Sequence, residues 1–181
     1  NITLPQEKRI EIIRKPLCTQ SVLNILKEKE SGLSQRKKRK MICPGIKVLV
    51  VDDEPMNLTV AKGIFENYQM IVKTVISGKE AIEACEKERF DIIFLDHMMP
   101  EMDGIETIGK IRSQINGLCR ETNIIALTAN YGSNMQKMYQ EAGFDGFVEK
   151  PVQGAFLEET ILAYLPEDII EYQNKEDTTE A

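Results

Sequence analysis

Three acidic residues follow two apolar segments of the chain, at positions where their side chains could act together. Asp52 and Asp53 come directly after the segment 46–51, and Asp96 comes directly after the segment 90–95. If both segments are parallel strands of one sheet, the three carboxylates meet at its carboxyl edge, where open α/β sheets bind ligands. Two like charges about 4 Å apart repel by roughly 4 kcal/mol at an effective dielectric constant near 20. The cluster therefore predicts a site for a hard divalent cation such as Mg²⁺, with one carboxylate left to react.

Strand patterns alternate with helical patterns from residue 46 onward. The sequence predicts five strands, at 46–52, 70–76, 90–95, 123–127 and 146–149. It predicts five helices, at about 55–68, after Ser77-Gly78, after Gly104, at 133–142 and after Lys150-Pro151. The first, third and fourth strands are near-continuous apolar runs, which is typical of strands covered on both faces. Right-handed crossovers then give an α/β fold with a doubly wound parallel sheet, although another α/β topology with the same elements stays open.

The composition is that of a globular protein. Of 181 residues, 42% are apolar and 29% are charged, so disorder throughout is not expected. No segment reaches the ~18 uninterrupted apolar residues of a membrane span, and the first residues lack a signal-peptide pattern. Four cysteines without a Cys-x-x-Cys pair and a single histidine argue against a zinc site and favour the reduced cytoplasm.

Charge is distributed unevenly along the chain. Residues 1–45 hold 11 basic and 4 acidic residues, a net charge of +7, whereas residues 46–181 hold 12 and 25, a net charge of −13. The acidic part should repel nucleic acid on average, so no nucleic-acid partner is expected. The basic run at 36–40 is interpreted as a solvated linker rather than as a nucleic-acid-binding segment.

These patterns divide the chain into four parts. We predict an appendage at 1–31, a basic linker at 32–44, the main domain at 45–166 and an acidic tail at 167–181. The appendage has a strand pattern, a Lys-Pro step and an amphipathic helix, which is the order found at the end of the main domain. Its apolar face lacks a sheet of its own, so it should pack on the main domain or on a second copy of the chain.

The order of the motifs resembles a known family. The residues that carry the resemblance are Asp52-Asp53, Asp96, Met99-Pro100-x-Met102-Asp103-Gly104, Thr128 and Lys150-Pro151. At these positions, the segment 45–165 resembles a response-regulator receiver domain. The resemblance implies a flavodoxin-like sheet of five parallel strands in the order 2-1-3-4-5. It also implies a place in two-component or phosphorelay signalling.

The resemblance implies a role for each residue of the acidic cluster. Asp96 would accept a phosphoryl group from a phosphohistidine of a partner, and would catalyse its own phosphorylation and dephosphorylation. Asp53 would bind Mg²⁺ directly, Asp52 would act mainly through metal-bound water, and the backbone carbonyl of Met98 would complete the protein ligands. Phosphoryl transfer needs such an in-line nucleophile and positive charge near the equatorial oxygens.

The resemblance implies a switch in addition to a phosphorylation site. Lys150 would pair with the phosphoryl oxygens, Thr128 would donate a hydrogen bond to them, and Phe147 would turn inward. The change would reach the face formed by the fourth helix, the fifth strand and the fifth helix. A cis bond between Lys150 and Pro151 would aim the ammonium group into the site.

The expected partner is a histidine kinase or a histidine-phosphotransfer domain. The pattern resembles receivers within hybrid sensor histidine kinases, for which Asn57 and Val60 on the first helix would lie at the docking surface. A homodimer through the appendage helix or through the switch face is also expected. The parent protein could be anchored in a membrane, but this chain has no kinase domain and no membrane segment.

Other readings of the same residues stay open. Taken singly, Asp96 could be a helix cap, Thr128 a satisfied buried hydroxyl and Lys150 a surface charge. We interpret His97 as an exposed loop residue and expect loop packing for Met99 and Met102. As whole functions, a flavin-binding module, an aspartyl phosphatase, a stand-alone regulator and a silent interaction module are the alternatives. The acidic sequence after the first strand is unsuited to a flavin phosphate, and the phosphatase would need its nucleophile there in an Asp-x-Asp pattern.

Overall fold

A parallel sheet of five strands is the centre of the fold. The structure is a computed structural model, and it describes residues 39–129, 133–152 and 154–174. The strands are β1 (Arg39–Ile42), β2 (Lys47–Val51), β3 (Ile71–Val75), β4 (Ile92–Asp96), β5 (Asn123–Thr128), β6 (Gly146–Glu149) and β7 (Glu171–Asn174). The helices are α1 (Pro55–Asn67), α2 (Gly78–Lys87), α3 (Gly104–Ser113), α4 (Ser133–Ala142), α5 (Gly154–Tyr164) and a 3₁₀ turn (Glu167–Ile169).

The strand order of the central sheet is β3-β2-β4-β5-β6, and every neighbouring pair is parallel. Counted without β1, this order is 2-1-3-4-5, so the predicted flavodoxin-like fold is confirmed. Each of these five strands is followed by a helix that runs back toward the other end of the sheet. Among the described helices, none has the length and apolar character needed to cross a bilayer.

Alternation along the central strands builds two apolar cores. Val48 and Val50 of β2 contribute to one core, with α1 and α5, whereas Leu49 and Val51 contribute to the other, with α2, α3 and α4. Every residue of β4 is buried, as its continuous apolar sequence predicts for a central strand. Because helices cover both faces, the edge formed by the strand ends is the part of the sheet that is open to a ligand.

A second, two-stranded sheet lies within the predicted linker and the predicted tail. β1 pairs antiparallel with β7, with Met41 opposite Tyr172 and Ile42 opposite Glu171. Met41 and Ile42 are buried, and Met41 packs in the core that includes α1 and α5. The predicted linker at 32–44 and tail at 167–181 therefore each contain a strand. Residues 1–38 and 175–181, with the predicted appendage, lie outside the described residues.

Candidate phosphorylation site

The sheet brings the predicted acidic residues to one edge. Val51 lies opposite Leu95, and Asp96 lies opposite Leu127, so the chain leaves β2, β4 and β5 at similar heights. One ligand oxygen from each of Asp52, Asp53 and Asp96 can be chosen so that all three lie within 4.8 Å of one another. The carboxylates of two neighbouring strands thus form the cluster that the sequence predicts.

Asp52 is buried and held by several donors. Its Oδ1 accepts hydrogen bonds from the backbone N–H of Glu54 at 3.0 Å and from Nδ2 of Asn57 at 3.0 Å. Its Oδ2 lies 2.6 Å from Nζ of Lys150. Only 1% of Asp52 is exposed, so these partners replace the water that an ionised carboxylate requires. The carboxylate is therefore fixed in orientation at the side of the site.

Lys150 joins the two buried carboxylates. Its Nζ lies 2.7 Å from Oδ2 of Asp96 and 2.6 Å from Oδ2 of Asp52, and 19% of its side chain is exposed. Burial acts to lower the pKa of Lys150, but its hydrogen bonds to both carboxylates outweigh burial and raise that pKa above the ordinary value. The ammonium group therefore stays charged and is fixed beside the predicted nucleophile.

Lys150 is the residue that follows β6, at the same edge of the sheet as the acidic cluster. The backbone N–H of Lys150 donates to the carbonyl of Thr128 at 2.7 Å, which continues the pairing of β6 with β5. The bond between Lys150 and Pro151 is cis, as the resemblance to receivers implies. The side chain of Lys150 extends from the sheet edge to the carboxylates of Asp52 and Asp96.

Asp96 is a buried carboxylate whose hydrogen-bond and ion-pair partners compensate only partly for its burial. Its Oδ1 accepts a hydrogen bond from the backbone N–H of Met98 at 3.2 Å, and its Oδ2 pairs with Lys150. Burial raises the pKa of Asp96, and the hydrogen bond and charge of Lys150 offset only part of that rise. An ionised Asp96 is therefore a comparatively high-energy state, and additional positive charge beside it would stabilise that state.

The donor set fits a hard divalent cation. Asp53 is exposed, in contrast to Asp52 and Asp96, so its oxygens can turn toward an ion without losing buried partners. Three carboxylates so close together suit Mg²⁺, which binds oxygen ligands and retains several waters. Asp52, Asp53 and Asp96 would hold this ion, and it would offset the negative charge that develops in phosphoryl transfer. The carbonyl of Met98 stays a predicted ligand.

The loop after β4 holds Asp96 through its backbone. The N–H of Gly104 donates to the carbonyl of His97 at 2.9 Å, and a Cβ at Gly104 would lie 2.9 Å from Cα of His97. Asp103 caps α3 by accepting a hydrogen bond from the backbone N–H of Glu106 at 2.8 Å. The Asp-Gly pair is thus required by close packing and by helix capping, while the buried Met99 packs in the core.

Thr128 and His97 contact a residue that sequence reasoning did not select. Thr128 is buried at the end of β5. Burial raises the pKa of Tyr139 of α4, and the neighbouring side chain of Thr128 acts against that rise. The hydroxyl of Tyr139 also lies 3.0 Å from Nδ1 of His97, and the two rings pack edge to face. The prediction that His97 is an exposed loop residue is therefore wrong, since the ring is half-buried against Tyr139. The polar pattern of the predicted helix at 133–142 gave no signal for a buried tyrosine.

The remaining predicted residues lie around the cluster. Phe147 is half-buried, and its ring stacks on that of Tyr139 with centroids 6.2 Å apart. Asn57 is directed at Asp52, whereas Val60, one turn farther along α1, is 49% exposed. Asn57 thus has a contact within the site, and Val60 is accessible to a partner.

Comparisons with known proteins agree with this site. The family model for the response regulator receiver domain matches residues 48–162. The sensor histidine kinase AruS of Pseudomonas aeruginosa is 37% identical over 108 residues, which are 60% of this chain and 11% of AruS. The chain spans less than a fifth of the length of curated histidine kinases that it matches.

Two solved structures extend the comparison. The receiver domain of the sensor histidine kinase PA1611 from Pseudomonas aeruginosa PAO1, crystallised with a magnesium ion in its active site cleft, is 32% identical, with a TM-score of 0.60 over 66% of this chain and 97% of that one. The complex of the Saccharomyces cerevisiae histidine phosphotransfer protein Ypd1 with the receiver domain of Ssk1 matches at 25% identity, with a TM-score of 0.60 over 68% of this chain and 90% of that one. With the family model matching most of the chain, this protein belongs to the response regulator receiver domain family.

Proposed function

We propose that this receiver accepts a phosphoryl group on Asp96 from a phosphohistidine of a partner. The observation that carries the proposal is Lys150, whose ammonium group lies within 2.7 Å of the carboxylates of both Asp52 and Asp96. A lysine that only balanced the charge of one carboxylate would not need to contact carboxylates at the ends of two strands. Here it holds the predicted nucleophile beside a cation, as phosphoryl transfer requires.

The transfer step balances without a further reagent. A carboxylate oxygen of Asp96 forms a bond to phosphorus while the bond from phosphorus to the partner's imidazole nitrogen breaks. The imidazole leaves with the electron pair of that bond, and Asp96 becomes an acyl phosphate. Lys150 then pairs with an oxygen of the phosphoryl group, and the hydroxyl of Thr128 donates a hydrogen bond to another. Mg²⁺, held by Asp52, Asp53, Asp96 and the carbonyl of Met98, supplies charge neutralisation when bound.

The partner proposed is a histidine-phosphotransfer domain or a histidine kinase. Val60 and Met56 are exposed one turn apart on α1, and the exposed Met98 follows Asp96 closely in the chain. Apolar side chains beside a charged site suit the docking of an amphipathic helix that carries the phosphohistidine. The Ypd1 complex, in which such a protein binds a receiver, supports this partner class.

The wider context is also a proposal. We place the chain in a hybrid sensor histidine kinase of the cytoplasm, because histidine kinases are among its relatives and the cysteines of the described residues, Cys43, Cys85 and Cys119, are free. The output would pass through the face formed by α4, β6 and α5, where Phe156 is exposed and a second copy could also bind. A stand-alone regulator or a silent receiver is the alternative.

The direct test is phosphorylation by a small donor. The chain is incubated with acetyl phosphate and Mg²⁺, and the added phosphoryl group is measured by intact mass. We expect one phosphoryl group on the wild type, none on Asp96→Asn, and one on the control Asp168→Asn, since Asp168 is exposed on the 3₁₀ turn. A wild type that stays unmodified with acetyl phosphate and with a phosphorylated histidine-phosphotransfer domain would overturn the proposal.

A further inference from the structure

Asn57 is an exposed residue on the first turn of α1 whose side chain reaches the buried Asp52. Its Nδ2 donates to Oδ1 of Asp52 at 3.0 Å and also lies 3.3 Å from Oδ2. Asparagine is a weak helix former, and near the start of a helix an acidic residue would interact better with the helix dipole. The helix itself therefore does not explain an asparagine at this position, whereas the contact with Asp52 does.

A series of contacts connects Asn57 to the predicted nucleophile. Oδ1 of Asp52 accepts hydrogen bonds from Asn57 and from the backbone N–H of Glu54, each at 3.0 Å. Oδ2 of Asp52 lies 2.6 Å from Nζ of Lys150, which in turn lies 2.7 Å from Oδ2 of Asp96. The two oxygens of Asp52 thus have different nearest partners, and the ammonium group of Lys150 is shared between Asp52 and Asp96.

This sharing depends on the orientation of the Asp52 carboxylate. The last torsion of an aspartate side chain has broad minima, so the carboxylate turns easily unless its oxygens are held. Without the amide of Asn57, Oδ1 would keep only the N–H of Glu54, and water could not replace the lost donor at a residue that is 1% exposed. The ammonium group already beside Asp52 has three hydrogens to donate. Lys150 would therefore turn toward both oxygens of Asp52 and away from Asp96.

We propose that Asn57 is a positioning residue, which fixes the carboxylate of Asp52 so that Lys150 stays beside Asp96 and can bind an oxygen of the phosphoryl group. A neutral amide suits this role. A cationic side chain in its place would compete with Lys150 for Asp52, and a carboxylate would add a fourth negative charge to the cluster. The inference rests on the proposed phosphorylation of Asp96, and it gives Asn57 a role inside the site in addition to the predicted one at the docking surface.

The test is a titration with beryllium fluoride, whose adduct with a carboxylate has the shape of a phosphoryl group, in saturating Mg²⁺ and followed by amide NMR. Asn57→Leu keeps the size of the side chain but removes its donors. Since the ammonium group then lies less often beside Asp96, we expect beryllium fluoride to bind about fivefold more weakly than to the wild type. Phosphorylation by acetyl phosphate should slow by a similar factor.

Two further variants separate the amide from other effects of the substitution. Asn57→Gln keeps the amide, and the exposed position leaves room for one more methylene, so its affinity should stay within twofold of that of the wild type. Thr59→Leu is the control on the same helix. Thr59 is exposed, and its hydroxyl donates to the carbonyl of Pro55 at 2.9 Å, so this variant should bind beryllium fluoride as the wild type does.

A spectroscopic measurement follows Lys150 itself, without Mg²⁺ or beryllium fluoride. Lysines are labelled with ¹³C at Cε, and the spectra of the wild type and of Asn57→Leu are compared. The signal of Lys150 should shift in the variant, because its ammonium group changes partners. The signal of Lys137, whose side chain is 80% exposed on α4, should stay in place. A role of Asn57 in stability alone would move neither signal.

The outcomes distinguish this inference from the proposed function. If either the affinity for beryllium fluoride or the Lys150 signal of Asn57→Leu equals that of the wild type, the role of Asn57 is wrong while the phosphorylation site stands. An affinity of Asn57→Gln as weak as that of Asn57→Leu would also overturn it, since the amide would then not be the group that matters. A wild type that neither binds beryllium fluoride nor reacts with acetyl phosphate would overturn the proposed function and this inference together.

Discussion

At the scale of single residues, the charge of Lys150 lies next to two buried carboxylates. It is the ion-pair partner that the structure gives to both Asp52 and Asp96. Lys150→Met would leave two buried carboxylates without that partner, which costs about 3 kcal/mol of unfolding free energy in Mg²⁺-free buffer at neutral pH. Urea denaturation measures this loss, and adding Mg²⁺ should restore part of it.

A matched control for Lys150 is Lys137 on α4. Its side chain is 80% exposed and pairs with Glu141 at 3.7 Å, so Lys137→Met should change the unfolding free energy by less than about 0.5 kcal/mol. Equal losses in the two variants would contradict a special role for Lys150. So would a loss in Lys150→Met that Mg²⁺ does not reduce.

Asp96 gives a pH dependence with a defined sign. Burial raises its pKa above the ordinary value of 3.8, and the hydrogen bond from Lys150 offsets part of that rise. The folded state therefore binds the proton more tightly than the unfolded state, so this contribution to stability is complete below pH 3.8 and is lost as pH rises through the folded pKa. Asp96→Asn has no such loss. In Mg²⁺-free buffer, its unfolding free energy relative to wild type should increase as pH rises from 3.8, and a difference that is constant or falls would refute this reading.

At the scale of elements, the turn between β4 and α3 depends on close packing at Gly104. A Cβ there would lie 2.9 Å from Cα of His97, and the carbonyl of Asp96 is nearer still. Gly104→Ala should displace the loop that holds Asp96, lowering the unfolding free energy by roughly 2 kcal/mol and slowing phosphorylation by acetyl phosphate. Thermal denaturation and the rate of mass increase provide the two readouts.

The control for Gly104 lies in the same helix. Gly109 is exposed, and a Cβ there would meet nothing within 4 Å. Gly109→Ala should therefore stabilise the chain by about 0.5–1 kcal/mol through helix propensity and leave phosphorylation unchanged. Stabilisation by both substitutions would show that the loop tolerates a side chain at Gly104.

How far the sequence predicts the structure differs from element to element. The apolar run of β4 and the residues just after the strands are predictable, because burial on both faces and the position of a strand end are properties of local sequence. Tyr139 and His97 are not, since their contact joins a polar helix to a loop, 42 residues apart. The contact of Asn57 with Asp52 also depends on how α1 leaves the sheet. Pairing of β1 with β7 could not be predicted because both strands are short and charged residues flank the apolar ones.

At the scale of the whole described unit, β1 and β7 connect its two ends at a distance from the phosphorylation site. β1 leads into the amino end of β2, whereas Asp52 and Asp96 lie at the carboxyl ends of β2 and β4. The two sheets therefore have separate structural roles. The five-stranded sheet positions the reacting groups, and the two-stranded sheet contributes Met41 to the core that α1 and α5 cover.

This separation predicts loss of stability without loss of the site. Removing residues 171–181 deletes the partner of β1, and Ile42→Ala removes a side chain that is 1% exposed. Each change should cost about 2–4 kcal/mol of unfolding free energy, while Ile115→Ala, at a side chain that is 89% exposed, should have little effect. The affinity for beryllium fluoride in Mg²⁺ should stay within twofold of that of the wild type, which corresponds to about 0.4 kcal/mol of binding free energy. The reason is that the acidic cluster and Lys150 lie at the ends of β2, β4 and β6. A destabilised variant with a much weaker affinity would mean that the ends and the site are coupled through the sheet.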